Sequence, residues 1–166
     1  KKRIRDITIN SNAINKNDLF IGIKGEKFDG DNFAEGAIKK GAIAALISKD
    51  IKSVSNKIIV KDGREALGKI AQYWKTQSKL PLVAITGSNG KTTTKEMVGS
   101  ILTFHHKSKA KLLISQGNFN NDIGLPLSLL KVKKIHQCAV VEMGMNHEGE
   151  IRYLSEIAKP DIAVIT

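Results

Sequence analysis

The sequence of 166 residues contains a single cysteine and no long run of apolar residues. Cys138 cannot form an internal disulfide, and because it lies in an apolar segment without an activating neighbour we interpret it as a buried, unreactive thiol rather than a nucleophile. No apolar run approaches the roughly 20 residues that a membrane helix needs, and the amino end has no signal-peptide pattern. We therefore expect a cytoplasmic protein that does not bind membranes.

Aromatic residues make up only 5% of the chain, whereas the net charge is +11. Such an excess of positive charge is common in proteins that bind nucleic acids. Here the basic residues are mostly lysines spread along the whole chain, and no aromatic residues alternate with them to stack on bases. We therefore predict a solvated, lysine-rich surface and no nucleic-acid partner.

The apolar pattern changes near residues 78–81, and we predict that two domains meet there, residues 1–78 and 79–166. The first domain is predicted to contain strands at 18–23, 43–47 and 57–60, with helices from Asn32 to Gly41 and from Asp62 to about Thr76. Each helix begins at a residue followed three positions later by glutamate, which is the spacing of a capping box. The apolar positions of the first helix, Phe33, Ala37 and Ile38, share one face, and Gly41 suits the left-handed residue after that helix. The second helix is predicted to bury a stripe made of Leu67, Ile70, Ala71 and Trp74.

The second domain alternates strands with helices. Strands are predicted at 82–86, 111–115, 138–142 and 162–166, and helices at 91–104, 123–130 and 148–158. Continuous apolar strands joined by helices predict a parallel sheet covered on both faces, and thus an α/β fold. The chain stops inside its last predicted strand, so we expect it to be part of a longer protein.

The loop TGSNGKTTT, residues 86–94, follows the first of these strands and opens the next helix. Gly87 and Gly90 carry no side chain that would keep an anion away from backbone N–H groups at the positive end of a helix. Lys91 supplies an ammonium group for the outer phosphates, and Thr92 a hydroxyl for Mg²⁺. The first glycine lies closer to the lysine than in the common phosphate loop. A glycine-rich turn before an ordinary helix is the alternative interpretation.

Glu142 ends the apolar strand CAVVE. In open parallel sheets ligands bind at the carboxyl ends of the strands, where the glycine loop also emerges. A carboxylate there can hold a Mg²⁺ ion that bridges phosphates. Taken alone, a glutamate at a strand end is more often a solvated side chain, but together with the loop it predicts a metal ligand.

Three segments, the first of which contains the glycine loop, are long and distinctive: TGSNGKTTTKEM (86–97), GNFNNDIGLPLSLL (117–130) and VVEMGMNHEGEIRYLSEIAKPDIAVIT (140–166). They resemble the Mur ligases, and more narrowly the MurF branch, in which the glycine loop is shortened in the same way. The front segment DLFIGIKGEKFDGDNFAEGAIKKGAIAALI (18–47) is similar to the UDP-binding domain of that branch. The resemblance covers nearly the whole chain.

The resemblance implies an ATP-dependent ligase of peptidoglycan precursor synthesis that adds D-alanyl-D-alanine to UDP-N-acetylmuramoyl tripeptide through an acyl phosphate. It also implies a small α/β UDP-binding domain followed by the first part of a P-loop parallel-sheet ATPase domain, with ATP and Mg²⁺ as cofactors, and we expect a monomer. Lys91 and Glu142 are implied as catalytic, and Thr92 and Glu142 as Mg²⁺ ligands. The residues implied to contact ATP are Gly87, Ser88, Asn89, Gly90, Lys91, Thr92, Thr93, Asn118 and Asn121.

Other polar residues of these motifs are open to two interpretations. Asn118, Asn120 and Asn121 are expected to face the same cleft, although turn-forming asparagines are an equal alternative. Asn146 and His147 share the segment of Glu142, but the sequence indicates no partner for His147, and a helix-capping role is an alternative.

This chain also departs from the family. Many relatives carry Asp-Ser-Arg near the start of the UDP-binding domain, where this chain has Asn10, Ser11 and Asn12, so the contacts to UDP stay open. Relatives continue into a third domain, and we therefore expect the chain alone to have little or no ligase activity. Two other functions stay open: another amide ligase of the superfamily, such as a folylpolyglutamate or cyanophycin synthetase, and a non-catalytic nucleotide- or nucleic-acid-binding module.

Overall fold

The computed structural model describes residues 3–166, so the first two residues of the predicted amino-terminal domain lie outside the described residues. The chain forms two compact units that divide between Leu67 and Gly68, and each is described by itself. The predicted domain boundary near Ser78 stays a prediction. None of the helices within residues 3–166 is long and apolar enough to cross a membrane.

The first unit is built on a parallel sheet with the strand order β1-β2-β3-β4. Its strands are Ile7–Thr8 (β1), Leu19–Ile21 (β2), Ala44–Ile47 (β3) and Lys57–Ile59 (β4), and helix α1 covers Ala34–Lys39. Apolar side chains from the inner strands and from α1 form its core because both elements bury one side against the other. The members are Phe20, Ala34, Ala37, Ala42, Ala45, Ile47 and Val54.

The predicted capping box at Asn32 is wrong. The chain enters α1 through a 3-10 turn at Gly30–Phe33, whose cap is Asp29, and α1 itself begins without a side-chain cap. Glu35 instead forms an ion pair with Lys39 and accepts a hydrogen bond from Ser53. Phe33, which precedes α1, is 45% exposed. Gly41 follows the helix and has the expected left-handed backbone, with φ of 110°.

Helix α2 covers Gly63–Ser78 and begins where the sequence predicts. The Asp62 carboxylate accepts a hydrogen bond from the Glu65 N–H at 2.8 Å, which confirms the predicted cap. Of the predicted buried stripe, Leu67 and Ala71 are fully buried, but Trp74 is 46% exposed. Trp74 lies at the surface because its indole N–H donates to the carbonyl of Val132 at 3.2 Å, which holds the ring at the rim of the core.

The second unit contains a parallel sheet with the order β6-β7-β5-β8. Its elements in chain order are Leu82–Thr86 (β5), Lys91–His106 (α3), Leu112–Ile114 (β6), Gly124–Leu129 (α4), Cys138–Glu142 (β7), Glu150–Ala158 (α5) and Ile162–Ile165 (β8). The parallel sheet is confirmed, and β5 and β7 begin and end at the predicted residues.

Alternate residues of these strands face different helices, as the pleat of a strand requires. One face joins α4 and α5 in a single core that includes Leu82, Ala84, Leu113, Ala139, Val141, Leu125, Leu129, Leu154 and Ile157. On the other face Ile114 lies against α3, so close that a Cβ at Gly99 would stand 2.7 Å from it. The sheet is therefore covered on both faces, and the loops that follow β5 and β7 emerge side by side at its carboxyl edge.

Candidate functional site

The glycine loop between β5 and α3 has a backbone that favours glycine at two positions. Gly87 has φ of 137° and Gly90 has φ of 77°, both in the left-handed region. A Cβ at Gly87 would also lie 2.2 Å from the carbonyl oxygen of Thr166. Gly90 occupies the N-cap of α3 and supplies no side-chain cap, so the first N–H groups of the helix are open to an anion.

Lys91 is folded back over this loop. Its ammonium group donates to the carbonyl of Gly87 at 2.7 Å and to that of Ser88 at 3.3 Å. The two carbonyl oxygens stand in for the anionic oxygens that an ammonium group at this position would otherwise contact. The predicted phosphate loop therefore carries a cation at its centre. Ser88, Asn89 and Thr93, the other loop residues predicted to contact ATP, are exposed.

Glu142 and Thr92 meet at the same edge. The ladder pairs Ile85 of β5 with Glu142 of β7, which places the glutamate beside the start of the loop. The Thr92 hydroxyl donates to Oε2 of Glu142 at 2.9 Å, and the glutamate is only 3% exposed. Two oxygen atoms of the type that Mg²⁺ prefers are thus neighbours, as the predicted metal site requires.

Of the three asparagines after β6, Asn120 is the one that reaches this carboxylate. Its amide donates to Oε1 of Glu142 at 3.0 Å. Asn121 instead accepts from the N–H of Gly124 at 2.8 Å at the start of α4, and the exposed Asn118 accepts a backbone hydrogen bond from Asn120. The predicted contacts of Asn118 and Asn121 with ATP stay predictions.

Lys95 is a member of the site that the sequence reasoning missed. Its side chain is 1% exposed, and its ammonium nitrogen lies 3.7 Å from Oε2 of Glu142 and 3.6 Å from the more exposed carboxylate of Glu96. A signal was present, because residues three apart on a helix share a face and Lys95 follows Thr92 by that spacing.

Asn146 and His147 lie in the loop before α5 and are held by its first residue, and the N-cap of this helix, Gly149, has no side-chain cap. The Glu150 carboxylate accepts from the N–H groups of Asn146 at 2.7 Å and His147 at 3.3 Å, and it contacts the His147 ring at 3.2 Å. The hydrogen bonds from Asn146 and His147 hold the pKa of Glu150 below its usual range. His147 therefore has a partner three residues ahead that the sequence alone did not indicate.

In the first unit, the segment that replaces Asp-Ser-Arg forms a turn. The N–H of Asn12 donates to the side chain of Asn10 at 2.9 Å. The ammonium group of Lys40 donates to the carbonyl of Ser11 at 2.9 Å and to the side chain of Asn12 at 3.2 Å. A lysine thus lies beside this turn although the arginine is missing from it.

The second unit has a parallel sheet, a glycine loop that joins β5 to α3, and an acid at the end of β7. These features define a phosphate-loop α/β protein. Comparison with known proteins narrows this class. The Mur ligase middle domain matches residues 85–166, and the catalytic domain of the Mur ligase family matches residues 3–75. The chain belongs to the Mur ligase family.

The relatives it matches are longer than this chain. It is 43% identical over 150 residues to the UDP-N-acetylmuramoyl-tripeptide--D-alanyl-D-alanine ligase of Haemophilus influenzae, covering 90% of this chain and 33% of the relative. The ligase of the same name from Escherichia coli is 38% identical over 159 residues, covering 96% of this chain and 34% of the relative. The chain spans about a third of the length of these relatives.

Solved structures agree in fold and sequence. MurF from Acinetobacter baumannii superposes with a TM-score of 0.90 at 43% identity, over 98% of this chain and 35% of that one. MurF ligase from Thermotoga maritima in complex with ADP gives a TM-score of 0.88 at 33% identity, over 98% and 37%. A diaminopimelate ligase at 18% identity, with a TM-score of 0.62, shares the fold alone.

Proposed function

We propose that this chain is the nucleotide-binding part of an ATP-dependent ligase that joins D-alanyl-D-alanine to UDP-N-acetylmuramoyl tripeptide in peptidoglycan precursor synthesis. One observation carries the nucleotide site: the loop that begins at Gly87 opens α3 beside the Thr92–Glu142 pair, at 2.9 Å. The substrates are proposed from the names of relatives that share 38–43% of their residues with this chain over the matched region.

The proposed reaction has two steps. The terminal carboxylate of the tripeptide attacks the γ-phosphorus of ATP, so that ADP leaves and an acyl phosphate forms. The amine of D-alanyl-D-alanine then attacks the acyl carbon, and inorganic phosphate leaves. A bound Mg²⁺ ion supplies neutralisation of the phosphate charges.

The residues of the loop fit this chemistry. Lys91 exchanges the carbonyls of Gly87 and Ser88 for phosphate oxygens and stabilises charge on the transferred group. Thr92 and Glu142 offer a hydroxyl and a carboxylate oxygen to the metal, and the Asn120 amide fixes the orientation of that carboxylate. Hard oxygen donors beside a glycine loop suit Mg²⁺ rather than a softer metal.

The proposed site is incomplete within this chain. The chain spans about a third of the length of its relatives, and acyl-phosphate chemistry requires a closed site that excludes water. We therefore expect the 166 residues alone to bind nucleotide without measurable ligase turnover. The whole protein is the form in which activity is to be tested.

The test is ADP release by the full-length protein with ATP, Mg²⁺, UDP-N-acetylmuramoyl tripeptide and D-alanyl-D-alanine. Release that requires all four components supports the proposal, and no release with this set removes it. Lys91→Ala is expected to lower turnover by about a hundredfold or more, as loss of one preorganised charge stabiliser does. Exposed Lys107 provides the matched control, because Lys107→Ala keeps the loop intact.

Assays of the full-length wild type and of its Lys91→Ala variant also distinguish the alternative functions. ADP release with a folate or an amino-acid polymer, but not with the muramoyl tripeptide, would assign the chain to another amide ligase. Steeply salt-dependent binding to DNA or RNA that survives Lys91→Ala would indicate a nucleic-acid-binding module.

A further inference from the structure

Lys95 places a charged group inside the protein beside the proposed metal ligand. Its side chain is 1% exposed and that of Glu142 is 4% exposed, with Nζ and Oε2 3.7 Å apart. A buried charge is costly unless another charge compensates it. Its second acidic neighbour, Glu96, has a side chain that is 62% exposed, so water screens that contact more strongly. Glu142 is therefore the main electrostatic partner of Lys95.

The two oxygens of Glu142 are held differently. Oε1 accepts from the Asn120 amide at 3.0 Å, whereas Oε2 accepts from the Thr92 hydroxyl at 2.9 Å and also lies nearest to Lys95. Oε2, the oxygen beside the other proposed metal ligand Thr92, thus already has a cation beside it. A divalent ion at this oxygen would stand close to the lysine ammonium, and like charges at short range in a buried site repel strongly.

We propose that Lys95 is a positioning residue that neutralises Glu142 in the nucleotide-free site and so opposes the binding of a bare divalent cation. The triphosphate brings the negative charge that offsets Lys91, Lys95 and the metal together, so the metal enters with the nucleotide. This inference rests on the proposed function, because it takes Glu142 as the ligand of the nucleotide-bound metal. When the ammonium group of Lys95 is removed, the Glu142 carboxylate has no positive charge beside it. The carboxylate then attracts the free metal more strongly.

The test uses the full-length protein, MnCl₂ as the probe and no nucleotide. Lys95→Met, which keeps the length of the side chain, is expected to bind Mn²⁺ at least about tenfold more tightly than the wild type, since a nearby positive charge has been removed. In the absence of metal its Tm is expected to fall, and Mn²⁺ is expected to restore more of that loss than it adds to the wild-type Tm. Unchanged Mn²⁺ affinity in a folded Lys95→Met protein would overturn the inference.

Two control variants exclude a general effect of losing a lysine. Lys75 is another buried lysine of the same unit, 7% exposed in α2, and Lys75→Met is expected to leave Mn²⁺ affinity unchanged. Lys95→Arg keeps the charge and is expected to keep Mn²⁺ binding as weak as in the wild type. A gain in Mn²⁺ affinity in either control would mean that the charge of Lys95 is not the cause.

A double variant decides the matter even if Lys95→Met folds poorly. In Lys95→Met/Glu142→Gln neither charge is present, so the Tm is expected to recover above that of Lys95→Met. A Tm loss equal to the sum of the two single losses would show that the residues do not interact, and would overturn the inference. Binding of Mg·ATP to the wild type is measured in parallel: its absence would remove the proposed function, whereas its presence with uncoupled Lys95 and Glu142 would remove this inference alone.

Discussion

Both units bury carboxylates next to a parallel sheet, but they hold them with different partners. In the first unit Asp18 is 1% exposed and receives two hydrogen bonds from Arg5, at 2.8 and 2.9 Å, and one from the Asn15 N–H at 2.8 Å. In the second unit Glu142 is 3% exposed, and its carboxylate oxygens accept from the side chains of Thr92 and Asn120.

The kind of donor separates a structural carboxylate from one that can bind a ligand. The Asn15 N–H is fixed by the backbone, and the Arg5 guanidinium engages both oxygens at once, so we expect Asp18 to exchange its donors less readily than Glu142. A side-chain hydroxyl and a side-chain amide, the donors to Glu142, can rotate away when a cation arrives. Burial alone therefore does not identify a functional acid, and the exchangeable side-chain donors are what favour a ligand-binding role for Glu142.

Glu142→Gln is expected to lower both activity and stability. We expect kcat/KM of the full-length protein to fall by about a hundredfold, because the carboxylate proposed to bind the metal loses its negative charge. The free energy of unfolding should fall as well, by roughly 1 to 3 kcal/mol, because Lys95 is left buried beside a neutral amide. Activity is measured as ADP release and stability by urea unfolding. The exposed Glu148 serves as control, and a Glu148→Gln protein should match the wild type in both.

Asp18→Asn is expected to lower stability alone. Loss of the charged hydrogen bonds with Arg5 should lower the free energy of unfolding by about 2 kcal/mol, while binding of Mg·ATP is retained. Urea unfolding and isothermal titration measure the two effects. Equal loss of nucleotide binding and stability would contradict the distinction between the two carboxylates.

The same residue gives stability a pH dependence. Desolvation of Asp18 raises its pKa, but the hydrogen bonds from Arg5 and from the Asn15 N–H outweigh it and hold the pKa below the usual value. A carboxyl with a lowered pKa in the folded state stabilises above its unfolded pKa of about 3.9, and this contribution is lost as pH falls below that value. Wild-type stability should therefore fall more steeply below about pH 4 than that of Asp18→Asn.

The sequence predicted the second sheet more accurately than the details of the first. β5 and β7 are continuous apolar runs between clear turn signals, and both were placed to the residue. β1 is only two residues long, Ile7–Thr8, too short for a periodic pattern to appear. The cap at Asn32 was wrong because Asp29 caps the preceding turn, and Asp31 is turned inward to accept from Ser48 at 2.6 Å.

The candidate site shows the same limit. The loop from Gly87 to Thr92 and the acid Glu142 were both evident from residue type and spacing. Which asparagine of GNFNN reaches Glu142 was not, because neighbouring loop residues carry no periodicity to distinguish them. The burial of Lys95 depends on how α3 packs over the sheet, and a lysine in a polar helix start is otherwise expected to be solvated.

Cys138 carries the smallest predicted effect. Burial raises the pKa of its thiol, and the side chain is 8% exposed in β7, so the thiolate population is small at neutral pH. We expect Cys138→Ala to cost about 1 kcal/mol of stability and to leave ADP release unchanged. A thiol reagent should label the native protein far more slowly than the urea-unfolded protein, and rapid labelling with loss of activity would contradict an unreactive thiol.

The most direct test of the proposed nucleotide site is a crystal structure of the full-length protein with Mn²⁺ and ATP. We expect the β- and γ-phosphates to contact the loop of Gly87 to Lys91, with an anomalous Mn²⁺ peak between Thr92 and Glu142. A triphosphate bound at another edge, or a metal peak without contact to Glu142, would contradict it.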